Sequence, residues 1–173
     1  MSAMTDHIPV LETERLRLRA PKMDDLPALT EFYTTKRSHM VGGPKDAREV
    51  HQAMLSTIGS WALNGFGFWH VADIDTDAML GVVGIIFAPT WDEPELGWSL
   101  SAQVEGKGIA FEAACAARDY AARHLDQDGL VSYINPENPR SEALARRMGA
   151  MIESDCVFLG RKLNLWRHPK VAA

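Results

Sequence analysis

Glu105-Gly106-Lys107-Gly108-Ile109-Ala110 is the stretch that most constrains the fold of this 173-residue chain. It lies between a run typical of a strand, Glu95-Leu-Gly-Trp-Ser-Leu100, and an alanine-rich run typical of a helix that ends near His124. Glycines at 106 and 108 remove Cβ atoms from the turn, and the first N–H groups of a helix have no partner within it. Such a turn carries partial positive charge and free donors, so it is suited to bind a phosphate or pyrophosphate group.

Known phosphate-binding loops differ in the spacing of their glycines. A P-loop needs Gly-x4-Gly-Lys followed by Ser or Thr, and a dinucleotide fingerprint needs a third glycine where this chain has Phe111. The chain satisfies neither pattern. A plain glycine turn that caps a helix stays open as the structural alternative.

The composition limits the class of protein. A hydrophobic fraction of 46%, a charged fraction of 24% and a net charge of −5 describe an ordinary globular domain and argue against a nucleic-acid partner. Cys115 and Cys156 form neither a disulfide framework nor a spaced metal-ligand set, which favours a reducing compartment and no metal. No signal segment or membrane-spanning run is present, so we expect a cytoplasmic protein without a membrane partner.

Hydrophobic periodicity and turn residues predict a mixed α/β protein around one sheet, in the order β-α-α-β-β-β-α-β-α-β-β. Within the first strand, Arg15, Arg17 and Arg19 alternate with leucines, which favours a solvated outer face. The predicted strands are 11–20, 66–74, 79–87, 95–100, 130–134, 151–159 and 162–166. The predicted helices start at 23–27, at 46 (ending near 63), after the glycine turn (ending near 125) and at 142 (ending at 148).

This order resembles that of the GNAT superfamily of acyl-CoA N-acyltransferases. The loop is similar to the family's pyrophosphate loop, Gln/Arg-x-x-Gly-x-Gly/Ala, at Gly108 and Ala110, but it has Glu105 at the first position. Asn135-Pro-Glu-Asn-Pro-Arg-Ser141 and the following residues to Gly149 look like the family's second half. The opening residues 11–19 are similar to the first strand of the Rim-type branch, which includes ribosomal-protein N-terminal acetyltransferases.

The resemblance implies a fold and an activity. The fold would be a single GNAT domain over residues 1–173, with its core at about 9–166. It would have one central, mostly antiparallel sheet with splayed central strands and helices on both faces. The activity would be transfer of an acetyl group from acetyl-CoA to a primary amine by direct attack in a ternary complex. A non-catalytic acyl-CoA-binding or sensor domain on the same fold is the alternative.

The resemblance also indicates the cofactor-binding residues. The strand before the loop would run beside the pantetheine arm, the loop would hold the pyrophosphate through N–H groups, and Asn138 would order the loop ahead of the last helix. These residues are Trp98, Ser99, Leu100, Gly106, Lys107, Gly108, Ile109, Ala110 and Asn138. For the Trp98 side chain an ordinary structural role is favoured.

By the same resemblance Glu95 is the candidate general base, acting directly or through a water, because a carboxylate at the start of this strand would face the acceptor cleft. A surface carboxylate beside Asp92 and Glu93 is the structural alternative. His70 is the next candidate base, although a structural histidine is favoured there.

Ser141 is the candidate donor to the leaving thiolate, by its match to the Rim-type branch; an N-cap of the last helix is the alternative. Many family members place a tyrosine in that helix, at the position of Ala145 here.

The acceptor site would lie between residues 23–64 and the loop Ala88 to Pro94. Trp61, Trp91, Asp92 and Glu93 would give it an aromatic, acidic rim that suits a cationic amine, either a protein N-terminus or a small molecule. A homodimer is a tendency of the family rather than a property that the sequence shows.

Overall fold

The computed structural model describes Thr5, residues 7–87, residues 91–158 and residues 160–171. One eight-stranded sheet in the order β1-β2-β3-β4-β5-β6-β8-β7 forms the centre of the fold. The strands are β1 Leu11–Glu12, β2 Leu16–Arg19, β3 Phe68–Asp73, β4 Met79–Ile86, β5 Glu95–Leu100, β6 Val131–Ile134, β7 Met151–Phe158 and β8 Arg161–Arg167. The helices are α1 Leu26–Thr34, α2 Ala47–Asn64, α3 Ile109–His124 and α4 Pro139–Arg147.

The sheet is antiparallel except where β5 meets β6. On one side β5 pairs with β4 along its whole length, from Gly81↔Leu100 to Ile86↔Glu95. On the other side it pairs with β6 in parallel through Glu95↔Val131 alone. The two strands therefore diverge beyond Glu95, and the predicted splayed centre of the sheet is confirmed. We call this opening between β5 and β6 the seam.

The alanine-rich helix α3 packs against the sheet on its small side chains. Ala113, Ala114, Ala117 and Ala121 are fully buried in the main core cluster, where Cβ-only side chains let the helix approach the strands closely. Helix α2 begins with a capping box, in which Asp46 and Glu49 each accept the other's backbone N–H at 2.8 Å. Its predicted start at Asp46 is confirmed as the N-cap.

Several predicted elements differ from the structure. The strand 11–20 is a short hairpin of β1 and β2, and a 3₁₀ segment at Lys36–Val41 follows α1. Arg19 is buried rather than solvated, because its guanidinium forms paired hydrogen bonds to Asp25 at 2.8 Å and a further one to Asp77. The predicted end of a strand at Leu159 lies outside the described residues.

Across the described ranges, no helix has both the length and the apolar content that crossing a membrane requires.

Candidate functional site

The seam exposes backbone groups of β5. Ser101 N–H donates to Leu80 O of β4 at 2.8 Å, and Ser132 Oγ of β6 donates to Leu96 O at 2.6 Å. N–H groups alternate in direction along a strand, so those of Trp98 and Leu100 point away from β4 and into the seam. The N–H of Ser99 points to β4 instead.

The glycine loop leads from the seam into α3. Gly106 and Gly108 have φ values of 74° and 78°, in the left-handed region that favours glycine. Gly108 is the N-cap of α3, and Glu112 N–H makes the first bond of the helix, to Gly108 O at 3.1 Å. No hydrogen-bond acceptor in the described ranges faces the N–H groups of Gly108, Ile109 or Ala110. The helix start therefore presents the free donors that the sequence predicts.

A cavity of about 430 Å³ lies between this loop and α4, and it contains several cations. Glu105, which departs from the family pattern, accepts hydrogen bonds from Arg140 at 3.0 Å and from Arg37 at 2.9 Å. The bonds from Arg140 and then from Arg37 lower the pKa of the Glu105 carboxyl. Arg147 lines the same cavity and stacks on the Phe111 ring at 4.1 Å. Glu105 is therefore the internal counter-ion of two arginines.

The predicted cofactor residues divide by their position relative to this cavity. Trp98, Ser99, Leu100, Gly106, Gly108, Ala110 and Asn138 line it. The Ile109 side chain is buried in the core instead, so only its N–H faces the loop. Lys107 is exposed and is not among the residues that line the cavity.

Glu95 lies at the apex of the seam and is half-buried. Its Oε2 accepts the Trp91 indole N–H at 2.9 Å, and its Oε1 accepts the Tyr133 backbone N–H at 3.2 Å. Burial raises the pKa of the Glu95 carboxyl to about 7, and the two hydrogen bonds only partly offset this effect. The group therefore changes charge near neutral pH, which suits a general base.

Ser141 lies across the seam from β5, in the first turn of α4. Asn138, not Ser141, is the N-cap: its Oδ1 accepts Ser141 N–H at 3.2 Å, and the helix begins at Pro139 rather than at Glu142. The alternative that Ser141 is the N-cap is therefore wrong, because Asn138 occupies that position and already accepts the Ser141 N–H. The Ser141 Oγ accepts from Asn138 Nδ2 at 3.0 Å and from Trp98 Nε1 at 3.3 Å.

A second cavity, of about 760 Å³, lies on the other side of the seam; we call it the acceptor cavity. Trp98, Ser99, Asn138 and Ser141 line both cavities, so the two meet at the seam. Most of its other lining is apolar, and part of it comes from α1, α2, β3 and β4. Representative members are Leu29, Tyr33, Val50, Met54, Phe68 and Val82.

The predicted acidic aromatic rim is wrong in most of its members. Trp61 is buried at 3% exposure and packs edge-on against Trp69 in the core. Glu93 forms a salt bridge with Arg167 at 2.6 Å. Asp92 is exposed and is not among the residues that line the cavity. Trp91 does line the cavity, beside Glu95. Residues 88–90 of the predicted acceptor loop lie outside the described part of the chain.

His70 is buried on the floor of the acceptor cavity. Its Nδ1 lies 2.6 Å from Asp25 Oδ2, and Asp25 is held in turn by Arg19. The favoured structural interpretation fits this arrangement, because the ring belongs to a buried ionic network that joins β2, β3 and the start of α1.

The sequence reasoning missed several residues at the site. Arg37, Arg140 and Arg147 were not singled out, since isolated arginines in a sequence carry no signal until the fold brings them to one loop. The bond from the Trp98 side chain to Ser141 was also missed, because the two residues are 43 positions apart.

Comparison with known proteins gives the family. The model of the acetyltransferase (GNAT) domain family matches residues 15–151. The crystal structure of an acetyltransferase from Agrobacterium tumefaciens is 36% identical, covers 94% of this chain and 95% of its own, and superposes with a TM-score of 0.86. The [ribosomal protein uS5]-alanine N-acetyltransferase of Escherichia coli is 28% identical over 148 residues, which are 80% of this chain and 76% of the relative.

A third similarity concerns the fold alone. The structure of a ribosomal L7/L12 alpha-N-protein acetyltransferase in complex with coenzyme A is 19% identical and has a TM-score of 0.77. It covers 94% of this chain and 98% of its own. The family model spans most of the chain, and the relatives include a member of the predicted Rim-type branch. This chain therefore belongs to the GNAT family and is an acetyl-CoA-dependent N-acetyltransferase.

Proposed function

We propose that the protein binds acetyl-CoA along the seam and acetylates an α-amino group that enters from the acceptor cavity. The observation that carries the proposal is the seam itself. It joins a helix start with free N–H donors to a large cavity, with Glu95 at its apex and Ser141 across it from β5. The coenzyme A complex of the structural neighbour supports the choice of cofactor.

The pyrophosphate would lie on the N–H groups of Gly106, Gly108, Ile109 and Ala110, where the helix dipole also favours an anion. Arg147 is the cation best placed to assist, because it lines the cavity and no carboxylate of the described residues lies within ion-pair distance of it. Arg37 and Arg140 would assist once they exchange Glu105 for a phosphate oxygen.

The acetyl group would lie beside Trp98 and Leu100. Their N–H groups point into the seam and are positioned to donate to the thioester oxygen as negative charge develops on it. Asn138 lines both cavities. It would contact the pantetheine arm in addition to capping α4.

Glu95 would accept the proton of the amine as its nitrogen attacks the thioester carbon. Because its pKa is about 7, a large fraction of the carboxyl is ionised at neutral pH while it stays basic enough to take a proton. The C–S bond then breaks, the electron pair passes to sulfur, and the Ser141 hydroxyl donates a hydrogen bond to the thiolate.

The acceptor class follows the relatives. The relative from Escherichia coli is, by its name, an N-acetyltransferase that acts on an alanine of ribosomal protein uS5. For this protein we propose a wider class of acceptor, which is an α-amine either of a protein N-terminus or of a small molecule. Free, half-buried Cys115 and Cys156 suit the reducing conditions of the cytoplasm, where we place the reaction.

The test is acetyl-CoA-dependent thiol release against a panel of peptides with free N-termini and of small amines. We expect release with at least one acceptor, together with an increase in Tm on addition of acetyl-CoA, since a ligand of the native state stabilises it. An increase in Tm without release from any acceptor would identify a binding domain instead and contradict the proposal.

A further inference from the structure

The charge of the acceptor cavity is opposite to the one that a simple cationic amine needs. Among the described residues that line it, Glu95 is the one carboxylate, and burial raises the pKa of that group towards neutrality. Lys45 and Arg161 line the same cavity and are cationic. An acceptor with an apolar body and a cationic tail would therefore meet repulsion rather than attraction.

Lys45 reaches the cavity from the loop before α2. It is half-buried, and its Nζ lies over the Tyr33 ring, 4.6 Å from the centroid. Burial lowers the pKa of this ammonium group, although the charge of Glu49 raises it again. In the described part of the chain, no carboxylate comes within ion-pair distance of Nζ. The Tyr33 ring face and the more distant charge of Glu49 compensate this partly desolvated charge, and no carboxylate of the described residues contacts it directly.

Arg161 reaches the same end of the cavity from the start of β8. Its Nη1 donates to His39 O at 3.2 Å, and within the described ranges it too has no carboxylate partner. Lys45 Nζ is 3.6 Å from the place that a Cβ on Gly42 would take. His39 lies in the 3₁₀ segment Lys36–Val41, and Gly42 is the C-cap of that segment. Arg161 and Lys45 therefore both lie against this one short element.

We propose that Lys45 and Arg161 form an anion subsite that holds a carboxylate of the acceptor while its amine reaches Glu95. The inference rests on the proposed function and adds the substrate class: an α-amine on an apolar body that also carries a carboxylate. A guanidinium and an ammonium group are suited to hold a carboxylate by charge-assisted hydrogen bonds. That carboxylate belongs either to a small amino-acid-like molecule or to an acidic side chain near a peptide N-terminus.

The test uses acceptors in matched pairs. One arm compares a free amino acid with its amide, and the other compares C-terminally amidated peptides that differ only by Asp or Asn at the second or third position. Thiol release gives kcat and KM for each pair with the wild-type protein, with Lys45→Met and with Arg161→Gln. Arg48→Gln and Lys162→Met are the controls, because these exposed neighbours do not line the cavity.

We expect each cavity variant to raise KM for the carboxylate acceptor by about 10-fold, the scale of one charge-assisted hydrogen bond, with kcat nearly unchanged. The neutral partner and the control variants should show no such change. Preference within the amino-acid arm assigns the carboxylate to a small molecule, and preference within the peptide arm assigns it to an acidic N-terminus.

Two results would overturn the inference while the proposed function stands: equal use of carboxylate and neutral acceptors by the wild type, or an equal loss for both in the variants. Absence of release from every acceptor would instead overturn the proposed function and the inference together. An unchanged increase in Tm with acetyl-CoA shows that each variant is folded.

Discussion

The Trp98 indole Nε1 lies 3.3 Å from the Ser141 Oγ and donates to it across the seam. Asn138 Nδ2 donates to the same oxygen at 3.0 Å, and the orientation of this amide is fixed because its Oδ1 accepts Ser141 N–H. A serine oxygen has two acceptor lone pairs, so both are in use and the hydroxyl proton is directed to a third partner. The hydrogen bonds from Trp98 and Asn138 thereby orient the Ser141 hydroxyl so that it donates its proton to another group.

Removal of this donor should slow turnover. Ser141→Ala is expected to lower kcat by roughly 10-fold, the scale of one hydrogen bond to a charged group, with acetyl-CoA affinity nearly unchanged. Trp98→Phe keeps the ring but removes its N–H, so it should lower kcat by less. In the double variant Trp98→Phe should add little, because Trp98 acts through Ser141. Additive losses in this cycle of single and double variants would contradict the positioning role.

Glu95→Gln tests the base. It should lower kcat/KM by roughly 10²-fold, the lower end of general-base effects, and abolish the rising limb of the pH profile near pH 7. A mutant profile that retains this limb would move the role to another group.

The raised pKa of Glu95 also has a readout that does not depend on activity. Because the folded pKa, about 7, lies above the ordinary value of 4.5, the folded state binds more protons between these values. The wild-type free energy of unfolding should therefore lose the contribution of this group as pH rises through that window. Glu95→Gln should show a smaller loss over the same range in urea titrations, and identical slopes would mean that the pKa is not raised.

Gly108→Val tests the loop. A valine at φ 78° is strained and places its side chain where the pyrophosphate would approach, so acetyl-CoA should no longer raise Tm. Gly65→Val is the matched control, since Gly65 has φ 77°, caps α2 and does not line either cavity. Equal acetyl-CoA binding by Gly108→Val and the control would show that the phosphate lies elsewhere.

Glu105→Gln tests the internal counter-ion. The change removes the charge that holds Arg37 and Arg140, so both guanidinium groups should become free to meet a phosphate. We expect a several-fold lower Kd for acetyl-CoA by calorimetry, and a steeper loss of affinity with salt. Glu153→Gln, which changes a remote exposed carboxylate, should leave the Kd unchanged. Weaker binding by Glu105→Gln would mean that Glu105 positions the loop rather than competes with the cofactor.

The parts of the fold that sequence predicts are those set by local chemistry. The bounds of β5 and the start of α2 depend on alternation and on a capping box within a few residues, and both are confirmed. The burial of Arg19 depends on Asp25, which the hairpin and the start of α1 bring to it, and on Asp77, which is 58 positions away; strand alternation reports neither partner.

The site divides in the same way. Free N–H groups at the glycine loop follow from the sequence, because a helix start leaves them wherever it occurs. The prediction of an acidic aromatic rim was wrong for two reasons. Arg167, which is 74 positions from Glu93, neutralises that carboxylate, and Trp61 packs into the core. The catalytic roles of Glu95 and Ser141 stay predictions.

The pairing of β5 with β6 at one position divides the sheet into two antiparallel blocks, β1 to β5 and β6 to β8. Besides Glu95↔Val131, the described contacts between these strands include Ser132 Oγ to Leu96 O and Tyr133 N–H to Glu95 Oε1. The side chain proposed as the base thus accepts one of these hydrogen bonds. An ionised carboxylate accepts a hydrogen bond more strongly than a neutral one. If Glu95 takes a proton from the acceptor as proposed, this hydrogen bond to β6 would weaken, and the contact between the two blocks would loosen at the moment when products must leave.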